Sequence, residues 1–133
     1  MTTPAELLAA ARDLLTRADP KTAGLWPRAT ALLARQALEQ ALDQYWRNRQ
    51  LPLDQLPTHP QLICLREYLH DAGLAGSVNH AWNALSQACH HHPYELAPSL
   101  TDLNRHMLVV ADLMGAEAML TPERQEIGVP WKP

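Results

Sequence analysis

The chain has 133 residues, 47% of them hydrophobic, carries a net charge of −3 and contains no phenylalanine. That apolar content suffices for one folded domain with a sizeable core. The acidic balance is not that of a protein coating itself in positive charge to hold nucleic acid. A local patch is still compatible, because nine of the eleven basic residues are Arg. Arginine suits bidentate contact with phosphate or carboxylate, and a GC-rich genome gives the same bias.

Cys64 and Cys89 each lie in an apolar helical pattern, which predicts two buried thiols in a reducing compartment rather than a disulfide framework. The start MTTPAELLAAARD lacks the cationic opening and long apolar run of a signal peptide. No uninterrupted apolar stretch reaches the length needed to cross a bilayer. The expectation is a cytoplasmic protein without a membrane partner, built as one domain over 1–133. Within it, 1–24 form an N-terminal helix and loop, 25–120 the core and 121–133 a short tail.

Helix signals follow one another and strand alternation is missing. Thr3-Pro4-Ala5-Glu6 is a capping-box start with Pro at the first helical position, which predicts a helix from Pro4 to about Arg17 with Leu7, Leu8, Ala11, Leu14 and Leu15 inward. Asp19 to Gly24 reads as a loop. Pro27 opens a long central helix to about Arg49, with Leu32, Leu33, Ala37, Leu38, Ala41, Leu42, Tyr45 and Trp46 covering more than one stripe. Three prolines between Gln50 and Pro60 predict an extended connection. Thr58 and Gln61 have capping-box spacing, so the third helix is expected over about His59–Asp71, with Leu62, Leu65 and Leu69 inward and Gly73 as its stop. A fourth begins near Leu74 or Ser77, its inner face Val78, Ala81, Trp82, Leu85, Ala88, Cys89 and His92. Pro93 ends it within about a turn. Pro98-Ser99 starts a fifth, with Leu100, Leu103, Met107, Val110 and Met114 on one face, ending near Gly115 or Leu120. Thr121-Pro122-Glu123-Arg124 would add one turn before the tail Pro130–Pro133. Together these predict an all-α fold, a compact antiparallel bundle of about five helices.

The chemistry concentrates in Cys89-His90-His91-His92, which runs into Pro93 and Tyr94. Consecutive helix positions point about 100° apart, so the three histidines cannot converge on one atom while helical. A zinc site would need Cys89 and His92 with His80, His106 or His59, yet no second short-spaced ligand pair exists. No metal and no cofactor are therefore expected. Two readings stay open from the residues alone: a helix end with one packed and two solvated histidines, or a functional cluster.

Gln87-Ala88-Cys89-His90-His91-His92-Pro93-Tyr94 resembles the motif of HEPN domains, an all-α superfamily of nucleotide-binding and ribonuclease modules. Their motif is an Arg, four to six residues, then His, often with Tyr two positions on. Ala34 to Leu42 is similar to the family's first long helix, Pro57-Thr58-His59-Pro60-Gln61-Leu62 to the opening of its next, and Ser99 to Met114 to its last. Leu85 to Pro98 looks like a small actinobacterial HEPN-like type.

The resemblance implies a homodimer in which two motifs form one RNA cleft, with metal-independent chemistry. His92, then His91, would move a proton or contact phosphate, and Tyr94 would orient the ligand. His90 and Arg105 are the further phosphate-binding candidates. The departure from the motif is Gln87, which stands where the family carries Arg. An amide can donate to a phosphate oxygen but cannot neutralise it, which costs about 2–4 kcal/mol of transition-state stabilisation. The implied function is thus a catalytically degenerate, dimerising module that associates with RNA or nucleotide, with a cognate partner protein as a further expectation. The alternatives are a metal-independent endoribonuclease of the toxin or defence type using His92, and a purely structural interaction bundle.

Overall fold

The computed structural model describes residues 2–16, 26–90 and 98–128, with side chains over 2–16, 27–90 and 98–116. It is an all-α bundle: α1 (Pro4–Thr16), α2 (Trp26–Asn48), α3 (Thr58–Tyr68), α4 (Ala72–Cys89) and α5 (Leu100–Gly128), with a short 3-10 turn, Pro52–Gln55, between α2 and α3. No strand occurs among the described residues.

Helix α1 starts as its sequence predicts. The Thr3 hydroxyl accepts the Glu6 backbone N–H at 3.1 Å, satisfying one of the donors a helix start leaves open. Leu7, Leu8 and Ala11 are buried against α2 and α5, while Leu14 and Leu15 are half-buried. Helix α2 is the hub, packing on α1, α4, α5 and the 3-10 turn. Ala31, Ala34, Ala37 and Ala41 are fully covered, small side chains over which neighbouring helices can close. Leu32, expected inward, is exposed. The turn of about 100° per residue carries it off the stripe of Ala31, Ala34 and Leu38.

The end of α2 is a Schellman stop. Gln50 has φ 58°, the Gln50 N–H bonds to the Arg47 carbonyl at 3.0 Å, and the Leu51 N–H to that of Trp46 at 3.0 Å. This is the left-handed residue and paired bonds that close a helix, here with Gln where Gly is usual. Nearby, Trp46 is fully buried and makes edge-on pairs with Tyr45 at 4.9 Å and Tyr68 at 5.6 Å. Its indole N–H donates to Gln61 Oε1 at 3.0 Å. The Gln61 amide in turn donates to the Leu56 carbonyl at 2.7 Å and to Asp43 Oδ1 at 3.3 Å.

Several boundaries differ from the sequence reading, each for a local reason. Thr58 is the first residue of α3 and makes no cap, because Pro57 precedes it as N-cap. Its hydroxyl donates to Glu39 instead, at 3.1 Å, and Gln61 belongs to the Trp46 network. The segment 52–55 winds into the 3-10 turn rather than staying extended. Helix α3 stops at Tyr68 with Leu69 extended, and Gly73 is not its stop. Asp71 intervenes as the N-cap of α4, its carboxylate accepting the Leu74 N–H at 2.9 Å, so α4 begins at Ala72. At its far end α5 runs past Gly115 and Leu120 to Gly128, so 121–128 are not a separate turn or tail.

The inner faces hold more closely. Leu62, Leu65 and Leu69, then Val78, Ala81 and Leu85, then Leu103, Met107 and Val110 are buried. Leu100 is exposed and Met114 half-buried. Cys64 and Cys89 are free thiols, each half-buried rather than fully enclosed.

Candidate functional site

Helices α4 and α5 run antiparallel, so Ala72 shares a cleft with Val109 at one end of their seam and Ala88 with Pro98 at the other. Helix α5 starts on Ser99, whose Oγ accepts the Asp102 N–H at 3.1 Å. That cap sets the register of the next turn and places Arg105 three residues beyond Asp102. Their charged ends are 3.9 Å apart, and the Arg105 side chain is 69% exposed. A loose, exposed pair of this kind binds weakly, which leaves the guanidinium accessible to an anion.

His106 turns the other way and is buried. Its ring lies 5.8 Å from that of His80 on α4, centroid to centroid. Burial pushes the His106 imidazole below its ordinary range. His80 pushes it the same way, Asp102 pulls it back, and Arg105 adds a smaller lowering. Two adjoining clefts of about 250 Å³ and about 410 Å³ open along the seam, and both are lined by His80, Arg105 and His106. Glycines at 73 and 76 contribute to the wider one. The Cβ of an added side chain at Gly76 would meet nothing within 4 Å.

His90, the first histidine of the cluster, follows directly on the end of α4. Helix α4 stops at Cys89, and His90 is its extended C-cap at φ −89°, ψ 138°. The expected continuation of helix through His92 is thus corrected at its first step: the His90 N–H bonds to the Gln87 carbonyl at 3.1 Å in a tightened last turn. His90 is exposed and Gln87 sits at the last turn of α4; neither lines the two clefts. His91, His92 and Tyr94 lie outside the described residues, as do Trp131 and the side chain of Trp26. Arg105 does share a cleft with Ala88 and Pro98, which flank the cluster along the chain. Of the sequence candidates, the described residues bring Arg105 into a cleft with Ala88 of the motif, while Gln87 and His90 are exposed outside the lining of both clefts.

The opposite flank of α4 faces α2 and α3. Glu39 Oε2 accepts from the Thr58 hydroxyl at 3.1 Å and from the Trp82 indole N–H at 3.4 Å, while Oε1 lies 3.9 Å from Arg35 Nε. His59 tilts toward Trp82 with ring centroids 6.5 Å apart. Burial raises the Cys89 thiol above its ordinary value; Arg35 opposes that rise and Glu39 adds to it. Cys89 therefore belongs with α2, across α4 from His80 and His106. No group of three metal-binding side chains assembles among the described residues.

In the sequence His80 and His106 stand out only as spare zinc ligands, and their pairing is missed. A signal exists: Leu103, His106, Met107 and Val110 recur at steps of three, one and three, placing His106 on the buried stripe. Arg47 and Arg49, in the last turn of α2 and just past it, have specific partners. Arg47 bonds Asp54 at 3.1 Å, and Arg49 stands 4.7 Å over the Tyr45 ring.

The fold and site define an all-α bundle with a histidine- and arginine-lined seam. No family model matches the chain, and neither the curated proteins nor the solved structures yield a match. Among the described residues no helix is long and apolar enough to cross a membrane.

Proposed function

We propose that the protein is a HEPN-like module that binds phosphate-bearing ligands, RNA or nucleotide, without cleaving them, and that it works as a homodimer. The observation carrying this reading is the pair of clefts that share His80, Arg105 and His106. A permanently charged, accessible guanidinium supplies attraction and two-pronged hydrogen bonding to a phosphate. The imidazoles beside it offer further N–H donors. Binding is favoured over catalysis because the position that the motif gives to Arg is the neutral Gln87. Ile63, Leu100 and Leu108 are exposed and supply apolar area that a second copy could cover.

The test is a titration of a labelled single-stranded RNA, read by fluorescence anisotropy, against wild-type protein and Arg105→Gln. Loss of one charge-assisted contact is expected to weaken binding about tenfold and to lower the salt dependence. Equal affinity and equal salt slope in the variant would overturn the seam as the binding site. Sedimentation over a range of concentrations reads the dimer separately.

A further inference from the structure

We propose that the wider cleft of the α4–α5 seam is a base pocket. A nucleobase lies on the bare helix surface at Gly73 and Gly76, against the His80 and His106 rings, while Arg105 holds its phosphate. The inference rests on the phosphate-binding reading of the seam and adds to it the class of ligand, a nucleoside phosphate recognised through its base.

The shape of the cleft is the first observation. Gly73, Gly76 and His80 follow at steps of three and four on α4, which puts them on one face of the helix. All three line the wider cleft, together with Arg105, His106 and Val109 of α5. Its volume of about 410 Å³ falls within the range of about 300–1,000 Å³ that small-molecule sites occupy; the neighbouring cleft of about 250 Å³ falls below it. Glycine weakens a helix interior, and at Gly76 neither usual reason for it holds. No glycine among the described residues has a positive φ, and an added Cβ at Gly76 would meet nothing within 4 Å. What glycine does there is leave the backbone uncovered for a flat ring.

The second observation is a buried polar side chain open to that space. His106 is 8% exposed, yet it lines both clefts. Among the described residues its ring touches His80, and no hydrogen bond reaches its nitrogens. Buried polar groups ordinarily have partners. Burial and the neighbouring His80 hold the imidazole below its ordinary range, so at neutral pH the ring offers one N–H donor and one bare acceptor nitrogen. A fully ionised phosphate carries acceptors alone. The edge of a base carries donors as well and can satisfy either nitrogen.

The two rings divide the work. Their planes are inclined at 55° with centroids 5.8 Å apart, so a planar base flat against one meets the other at a tilt. His80 is exposed and presents a face for stacking, a frequent use of His with unpaired bases. His106, mostly covered, presents an edge. Arg105 borders both clefts, so a phosphate it holds stands next to a base in the wider one.

The experiment titrates the full-length protein with the four nucleoside monophosphates, ribose 5-phosphate, a short single-stranded RNA and the same strand carrying abasic sites. The base is expected to add about tenfold in affinity over ribose 5-phosphate, as one stacked ring does. Gly76→Leu fills the cleft from a position with free space around its Cβ and introduces a better helix former. In that variant nucleotide affinity should fall to that of ribose 5-phosphate, which itself binds as in wild type. His106→Phe keeps a ring and removes the nitrogens, and should level the differences among the four monophosphates; an unchanged ranking overturns the role given to His106. Tight binding of a monophosphate identifies the free nucleotide as sufficient, whereas a base-dependent affinity seen only in the strand identifies RNA. The base pocket is overturned if neither monophosphates nor RNA bind better than their base-free counterparts, or if Gly76→Leu keeps wild-type affinity for them. A defect in Arg105→Gln then leaves the phosphate-binding seam standing. Absence of binding by every probe overturns both.

Discussion

Replacing Gln61 by Leu isolates how far the core depends on one buried amide. Gln61 is 3% exposed and Trp46 is fully covered, so the indole N–H that donates to Gln61 Oε1 at 3.0 Å has no route to water once the acceptor is gone. A buried donor left unpaired costs about 1–3 kcal/mol. The Leu56 carbonyl, bonded at 2.7 Å, loses a bond worth about 1 kcal/mol. Asp43, at 3.3 Å, loses its amide donor as well. The extra apolar surface of the introduced leucine returns about 1 kcal/mol. The balance is a destabilisation of about 1–3 kcal/mol, or about 3–12 °C in midpoint for a chain of this length. Urea denaturation and calorimetry measure it. Adding Trp46→Phe to the Gln61→Leu protein removes the stranded donor, so the double variant should recover about 1–2 kcal/mol relative to additivity. A Gln61→Leu protein within about 0.5 kcal/mol of wild type, or strict additivity in the cycle, would refute the argument.

Two more expectations follow from single residues. His106 has its pKa held down by burial and by His80, while an unfolded histidine takes its proton near pH 6.5. The unfolded state thus binds more protons below about pH 6.5, so the stability tied to neutral His106 is complete above that value and is lost as pH falls through the window toward the folded pKa, at up to about 1.36 kcal/mol per pH unit. His106→Gln should flatten the slope between about pH 7.5 and 5.5; an unchanged slope would contradict the assignment. At the end of α2, Gln50→Gly relieves the left-handed backbone at φ 58° and should raise the urea midpoint by about 0.5–1 kcal/mol of stability without changing the m-value; a lowered midpoint would show that the Gln side chain matters more than the backbone.

The helices and their inner faces are legible in the sequence because apolar spacing reports burial directly: Val78, Ala81 and Leu85 could hardly face anything but the core. Boundaries are less so. Asp71 reads as the end of one helix although its carboxylate starts the next, since a short acidic side chain is compatible with either. Thr58 carries the right spacing for a cap and is drawn away by Glu39, nineteen positions earlier. Gln61 looks like a helix-start residue and proves to be the acceptor for Trp46. Such long-range polar partners have no periodic trace. The same limit applies to the candidate site: Arg105 is identifiable as a spare cation, but its neighbour His80 comes from another helix.

Helix α4 shows one apolar stripe in the sequence but acts as a partition wall. Positions 80, 84 and 88 open onto α5, whereas Trp82 reaches Glu39 and Cys89 feels Arg35 on α2. The two edges share a backbone and a core, yet their polar groups draw on different neighbours. Substitutions along one edge can therefore retune one compartment while the other keeps its own electrostatics, so the two sides are free to diverge separately within a single scaffold.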